Sequence, residues 1–184
     1  MADATRSQLL TELNIAARDG SNITFTAQEK TKALNRAIHD PYVVKLTRDT
    51  SITTDGSDSY DLPFAGTILK LGIQIAATGK PTDLEGWDVI DGTIYLSSVP
   101  PSGKTLVIIG TTKLDENDLI PDDRQEYVLV LAKIQLINYL TASLATTFLT
   151  NDMSMGELLR LKQDLQAEAA TWRSSFRNSY TVEL

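Results

Sequence analysis

The chain has no cysteine and a single histidine, so thiolate chemistry is excluded and only one imidazole is present for metal binding or catalysis. Without cysteine there can be no disulfide, no thiolate ligand and no cysteine nucleophile. The lone His39 stands just before Asp40-Pro41, where its cationic form would favour a helix C-terminus. One imidazole without spaced partners is not a site. We therefore expect no catalytic residue, no cofactor and no resident metal, and hence no enzyme.

Basic residues are in the minority, with 17 Lys and Arg against 24 Asp and Glu and a net charge of −7. No basic patch typical of a nucleic-acid reader is present. The N-terminal residues lack the apolar segment of a secretory signal. The best candidate for a membrane span, residues 134–150, contains Gln135, Asn138 and several threonines. We expect neither specific nucleic-acid binding nor membrane insertion.

The segment Ser102-Gly103-Lys104-Thr105 is similar to the end of a phosphate-binding loop. The full motif requires a glycine at position 98, which is Ser98 here, and a helix after the loop. In this chain two prolines precede the segment and a strand-like run, Leu106–Ile109, follows it. The sequence therefore predicts a hairpin loop here.

A group of carboxylates precedes the third predicted helix, and calcium prefers oxygen ligands of this kind. Its members are Asp115, Glu116, Asp118, Asp122 and Asp123. Their spacing is not that of an EF-hand loop, and carboxylates at this place also complement a helix dipole. We interpret them as a solvated helix start, with a cation site as the alternative.

Helical patterns occupy both ends of the chain. The capping boxes Thr5/Gln8, Thr26/Glu29 and Ser154/Glu157 predict the starts of helices one, two and four. Pro121 suits the first turn of helix three. The predicted helices run from about residue 5 to 18, from 26 to the residues before Asp40-Pro41, from 121 to about 150, and from 154 to 176.

Short strand patterns and turn residues fill the middle of the chain. The predicted strands are Thr50–Thr54, Ser59–Phe64, Thr67–Ile75, Trp87–Ile90, Thr93–Ser97 and Lys104–Thr112. Asp91-Gly92 between two of these strands predicts a two-residue type I′ hairpin. Alternation along Thr67–Ile75 predicts a strand with one wet face and one buried face.

The last two helices differ in their apolar patterns. Residues Tyr127–Ala132 are apolar all round helix three, so we expect neighbouring subunits to supply part of its cover. Helix four carries one apolar stripe, composed of Leu158, Leu161, Leu165, Ala169, Trp172 and Phe176. The following Tyr180, Val182 and Leu184 are spaced like a strand, which fits either a frayed terminus or docking on a partner.

These patterns predict an α+β fold in which N- and C-terminal helices form a bundle with an inserted antiparallel β domain. The predicted boundaries are 1–45 and 113–176 for the bundle, 46–112 for the β domain and 177–184 for an extended C-terminal tail.

Four stretches of the chain resemble the head–tail connector (adaptor, or head completion) proteins of tailed bacteriophages. Residues 25–30 (FTAQEK) with 33–38 (ALNRAI) are similar to the second helix of that family. Tyr60-Asp61-Leu62-Pro63 resembles its first insert strand, and residues 87–96 (WDVIDGTIYL) with 100–108 (PPSGKTLVI) resemble its later hairpins. Ile120-Pro121, followed by the long helix, resembles the return to the bundle.

The resemblance implies a homo-oligomeric ring, usually a dodecamer, that lies beneath the portal protein in the virion neck after assembly in the host cytoplasm. Such a ring extends the DNA channel without binding DNA specifically and meets the next neck or tail protein. The resemblance assigns contact with the portal or another partner to Trp172, Phe176, Tyr180, Val182 and Leu184. The alternative is another virion or tail-tip structural protein whose β insert binds a neighbour or a receptor.

Overall fold

The computed structural model describes residues 3–17, 24–75, 79–115, 117–144 and 155–178. Its fold is α+β, as the sequence predicts, with helices at both ends and antiparallel sheets between them. The chain divides into two compact units. The described residues of the helical unit are those up to Val43 and those from Leu114 to Asn178, and the β unit runs from Val44 to Lys113.

The helical unit contains α1 (Arg6–Ala16), α2 (Ala27–Ile38), α3 (Asp122–Leu144) and α4 (Met155–Asn178). Two of the predicted capping boxes are confirmed, since Thr5 and Thr26 each exchange hydrogen bonds with the residue three positions later. Ser154 lies outside the described residues, so the third box stays a prediction. Helix α4 continues to Asn178, two residues beyond its predicted end at residue 176.

Helix α3 is the centre of the helical unit, and it packs against α1, α2 and α4 of the same chain. Its buried apolar residues are Tyr127, Val128, Val130, Leu131, Ala132, Ile134, Leu136 and Ile137. Three helices of its own chain lie around it, so most of the cover that the sequence requires comes from within the chain. A contribution from neighbouring subunits, for example at the half-buried Leu129, stays a prediction.

The β unit consists of two antiparallel sheets. Their strands are β1 (Val44–Asp49), β2 (Ser59–Asp61), β3 (Gly66–Gln74), β4 (Thr82–Asp83), β5 (Trp87–Ile90), β6 (Thr93–Leu96) and β7 (Thr105–Lys113). One sheet has the order β1-β7-β3-β4 and the other has the order β2-β6-β5. The hairpin at Asp91-Gly92 is confirmed, since Ile90 pairs with Thr93 and both turn residues have positive φ, +50° and +79°.

The strand predicted at Thr50–Thr54 was wrong, and the strand before it, β1, was not predicted. Only Thr53 of that segment forms an isolated bridge, to Thr105. The N–H and C=O of Thr54 bond to the loop at Gly103 and Lys104 rather than to a ladder. Strand β1 is rich in charge, which is common in strands at the edge of a sheet and hides the apolar alternation.

The strict alternation predicted along β3 was also wrong. The pairing of β3 with β7 shifts register between Ile68 and Lys70, so Leu69 is an extra residue in the ladder. This bulge puts Ile68 and Leu71 on the same face, and both lie in the core of the β unit. Ile75, the last residue of that predicted strand, is exposed although its apolar side chain suits the buried face.

The core of the β unit lies between its two sheets. Ile68, Leu71 and Ile108 come from the four-stranded sheet, and Ile94 comes from the three-stranded sheet, where Trp87, Val89 and Leu96 pack beside it. The outer faces of the two sheets therefore point in opposite directions. The loop Ser102–Thr105 joins β6 of one sheet to β7 of the other, so its interpretation as a hairpin loop was wrong.

Candidate functional site

Helix α4 carries the two described residues of the predicted partner-contact set, Trp172 and Phe176. Leu165, Ala169 and Phe176 lie in the core of the helical unit, and Trp172 is half-buried against it. Leu161 is 42% exposed, so the buried stripe of α4 is narrower than the sequence predicts. Tyr180, Val182 and Leu184 lie outside the described residues.

The ring of Phe176 is enclosed by three other side chains. It meets Tyr127 edge-on, with ring centroids 5.2 Å apart, and stacks on Trp172 at 5.8 Å. The guanidinium carbon of Arg124 lies 3.6 Å from the Phe176 centroid, a cation–π geometry. Phe176 is only 4% exposed, so its first role is in the core, whereas Trp172 keeps accessible surface. Partner contact by these residues stays a prediction.

A polar cluster, which we call the α4 clasp, consists of Asp40, Tyr127 and Arg173. The Tyr127 hydroxyl donates to Asp40 Oδ1 at 2.9 Å, and Arg173 Nε donates to the same hydroxyl at 2.7 Å. Arg173 Nη2 also pairs with Asp40 Oδ2 at 3.2 Å. The clasp ties α4 to α3 and to the residue pair that ends α2. The sequence gives little indication of the clasp, since Arg173 is recognisable only as an arginine between Trp172 and Phe176.

Burial is the largest influence on the pKa of Tyr127 in the clasp. It raises the pKa of Tyr127 to about 12, with a smaller upward contribution from Asp40, while hydrogen bonding from Arg173 opposes the rise. The hydrogen bond to Tyr127 raises the pKa of Arg173 above its ordinary value. Tyr127 therefore stays protonated, and Arg173 charged, throughout the physiological range.

Alkaline pH should weaken the helical unit through Tyr127. Since the folded pKa of about 12 exceeds the ordinary value of 10.0, the stabilisation is complete below pH 10 and is lost as the pH rises towards 12. We expect the free energy of unfolding to fall by about 1–2 kcal/mol over that interval. Urea unfolding at a series of pH values measures this, with Tyr127→Phe as the control. An equal fall in Tyr127→Phe would contradict the assignment.

An open cleft of about 310 Å³ lies beside the clasp, between α2, α3 and α4. Its polar lining consists of Arg36, Asp40, Gln135, Gln166 and Arg173. Asp40, the single carboxylate of this lining, is already bonded to Tyr127 and Arg173, so it is poorly placed to act as a general base. We therefore interpret the cleft as a gap left by the packing of the three helices and not as a catalytic site.

Two carboxylates of the predicted group, those of Asp118 and Asp123, have structural partners. The N–H of Asp115 donates to Asp118 Oδ2 at 2.7 Å, and Asp123 pairs with Arg124 at 3.1 Å. The N–H of Asp122, the first residue of α3, donates to Asp3 Oδ1 at 3.1 Å. Glu116 lies outside the described residues. Within the described ranges no group of three or more His, Asp or Glu side chains is placed to hold a metal ion.

Two other candidate sites have simpler roles. Nδ1 of His39 lies 2.7 Å from the Asn35 carbonyl oxygen, at the end of α2. The loop at Ser102–Thr105 leads into strand β7 rather than a helix, so it lacks the helix N-terminus on which a phosphate-binding loop relies.

None of the helices in the described part of the chain combines the length and apolarity needed to cross a membrane.

No family model matches the chain, and no curated protein matches it. Among solved structures, one similar chain comes from a structure described as the neck of an empty GTA particle computed with C6 symmetry. The alignment covers 85% of this chain and 87% of that one, at 15% identity and a TM-score of 0.34. Similarity at this level assigns neither a family nor a function to the chain.

Proposed function

We propose that the protein is a head–tail connector (adaptor) subunit, a structural virion protein without enzymatic activity. The observation that carries the proposal is its architecture: both ends of the chain build one helical unit, and a separate antiparallel β unit is inserted between Val43 and Leu114. This is the arrangement that the connector resemblance implies. Copies of the subunit form a ring beneath the portal, extend the DNA channel and join the capsid to the tail.

The packing of the helical unit supports assembly from folded subunits. Because α3 is covered within its own chain, each subunit can fold before it meets a partner. Helix α4 packs through one narrow stripe and leaves most of its described surface exposed. That surface, with the half-buried Trp172, is available for contact with the portal. In this proposal Tyr180, Val182 and Leu184 complete the contact set, and Phe176 contributes by stacking on Trp172.

The charge of the chain suits a passage for DNA. Its net charge is −7, and fixed cations would hold phosphates and slow a sliding duplex. In the proposed dodecamer, DNA passes through the channel without specific binding. The portal and the next neck or tail protein are the partners, and the virion neck, reached after assembly in the host cytoplasm, is the location.

The proposal is tested by mixing the purified chain with the portal of the same particle. We expect a ring of the chain on the portal, visible by negative-stain imaging, with a mass that fits twelve copies. A monomer in the absence of portal is compatible with the proposal, because the portal can template the ring. If the chain does not bind the portal at concentrations of about tens of micromolar, the proposed function is contradicted.

A second candidate is another virion or tail-tip structural protein whose β unit binds a neighbour or a receptor. The exposed Ile90 and Tyr95 on the outer face of the β2-β6-β5 sheet favour it, because apolar side chains there suit a docking surface. A map of the intact particle separates the two candidates. Density for the chain at the tail tip rather than at the neck selects the second.

A further inference from the structure

We propose that neighbouring copies of this chain pair through two complementary patches on opposite faces of the β unit. The basic patch consists of Leu46, Arg48 and Lys113. The acidic patch consists of Asp61, Asp88, Ile90 and Tyr95. The inference rests on the proposed ring and identifies the surfaces that join its subunits.

The basic patch lies at the edge strand β1, on the face of the four-stranded sheet opposite to Ile108. On this face Ile109 and Thr111 of β7 are buried, so the exposed part is the edge of the sheet. Leu46 and Arg48 are two residues apart on β1 and so share a face, opposite to the face on which Thr47 lies. Lys113 of β7 pairs with Val44, which is two residues before Leu46 and on the same face. Leu46 is 59% exposed, and Arg48 and Lys113 are also exposed. The patch is therefore an uncovered leucine between two cations.

The acidic patch lies on the outer face of the three-stranded sheet. Tyr95 of the central strand β6 pairs with Asp88 of β5, and Thr93 pairs with Ile90 on one side and with Asp61 of β2 on the other. These residues all point away from the core residue Ile94. Ile90 is 53% and Tyr95 46% exposed, while Asp61 and Asp88 are exposed at either side. The patch is an uncovered apolar pair between two carboxylates.

The two patches face in opposite directions because the core of the β unit lies between the sheets that carry them. Ile108 of β7 and Ile94 of β6 point inward to this core, and the patches occupy the outward positions. Surfaces on opposite sides of one subunit cannot form a two-fold contact with themselves. They join copies head to tail, and a head-to-tail contact generates a ring when its rotation closes.

The chemistry of the patches selects a second copy as the occupant. Cations beside Leu46 meet carboxylates beside Ile90 and Tyr95, which gives the contact an orientation and disfavours pairing of like patches. Direct addition of a strand at β5 is hindered, because the N–H of Val89 already donates to the Asp88 carboxylate at 2.8 Å. Pairing through the sheet faces leaves that bond intact.

The absence of cysteine allows a direct test by crosslinking. Leu46→Cys places a thiol in the basic patch, and Tyr95→Cys places one in the acidic patch. With a short bismaleimide, in the presence of portal, we expect covalent dimers when the two variant chains are mixed and few from either alone. The matched control is Ser102→Cys, an exposed position in the same unit outside both patches. Mixed Leu46→Cys and Tyr95→Cys chains should crosslink at least about tenfold faster than either mixed with the control.

Charge reversal gives an independent test on the portal. The chain with Arg48→Glu and Lys113→Glu has two acidic patches, and the chain with Asp61→Lys and Asp88→Lys has two basic patches. Neither should form rings alone, and a one-to-one mixture should recover them, because each chain then complements the other on both sides. Recovery in the mixture also shows that both variants are folded.

The outcomes separate this inference from the proposed function. Rings of normal size from either reversed chain alone, or crosslinking no faster than with the control, overturn the paired patches while the connector assignment stands. Failure of the unchanged chain to form rings on the portal overturns the assignment and the inference together.

Discussion

Replacing Leu165 with aspartate is expected to destabilise the helical unit by several kcal/mol. Leu165 is 9% exposed and lies in the core of that unit, on the stripe by which α4 packs. The substitution removes a buried apolar side chain and puts an unpaired carboxylate in its place. A loss of about 3–5 kcal/mol is typical of such changes, and it is a large part of the stability of an ordinary domain. Urea unfolding followed by far-UV circular dichroism measures it.

Leu161→Asp is the matched control, because it makes the same chemical change one turn earlier on the same helix. Leu161 is 42% exposed, so its aspartate reaches water and should lower the unfolding free energy by only about 1 kcal/mol. The sequence pattern places both leucines on one apolar stripe, whereas the structure buries Leu165 and leaves Leu161 exposed. Equal losses in the two variants, or normal stability of Leu165→Asp, would contradict the described orientation of α4.

The parts of this fold that the sequence predicts well depend on local hydrogen bonds. Thr5 with Gln8 and Thr26 with Glu29 satisfy helix N–H groups three residues apart, so each capping box can be read from its own segment. The hairpin at Asp91-Gly92 is equally local, because its turn requires positive φ at both residues.

The parts that the sequence predicts poorly depend on distant partners. Strand β1 exists because β7, far along the chain, supplies its ladder, and its charges hide the alternation that would reveal it. The bulge at Leu69 is likewise a property of the pairing between β3 and β7. The pattern of α3 correctly requires cover on every side. It cannot say that α1, α2 and α4 of the same chain provide that cover.

The candidate site has the same limitation. Trp172 and Phe176 follow helical spacing, which predicts a shared face but does not separate core from contact surface. The clasp joins Arg173 to Asp40 across 133 positions and to Tyr127 across 46, so no local pattern reveals it. The two surface patches need a strand register and a bulge-free β1–β7 ladder before their residues come together.

Phe176→Ala is expected to destabilise the helical unit by about 3–5 kcal/mol, the range for removal of a buried aromatic side chain. The loss includes the edge-on contact with Tyr127 at 5.2 Å and the Arg124 guanidinium 3.6 Å from the ring centroid. Removal of the ring leaves a cavity beside a buried cation. Thermal unfolding of the variant measures the effect, and Phe176→Leu, which keeps much of the volume, should recover part of it.

Trp172→Ala separates the structural part of this cluster from its proposed contact with a partner. Trp172 is only half-buried, so its removal should cost less stability, about 1–2 kcal/mol, and leave a folded chain. If its accessible surface meets the portal, that folded variant should bind portal at least about tenfold more weakly, because aromatic side chains often dominate the binding energy of an interface. Unchanged binding by folded Trp172→Ala, measured at a temperature where both chains are native, would assign Trp172 to the core alone. Portal contact would then have to come from elsewhere on the exposed surface of α4 or from outside it.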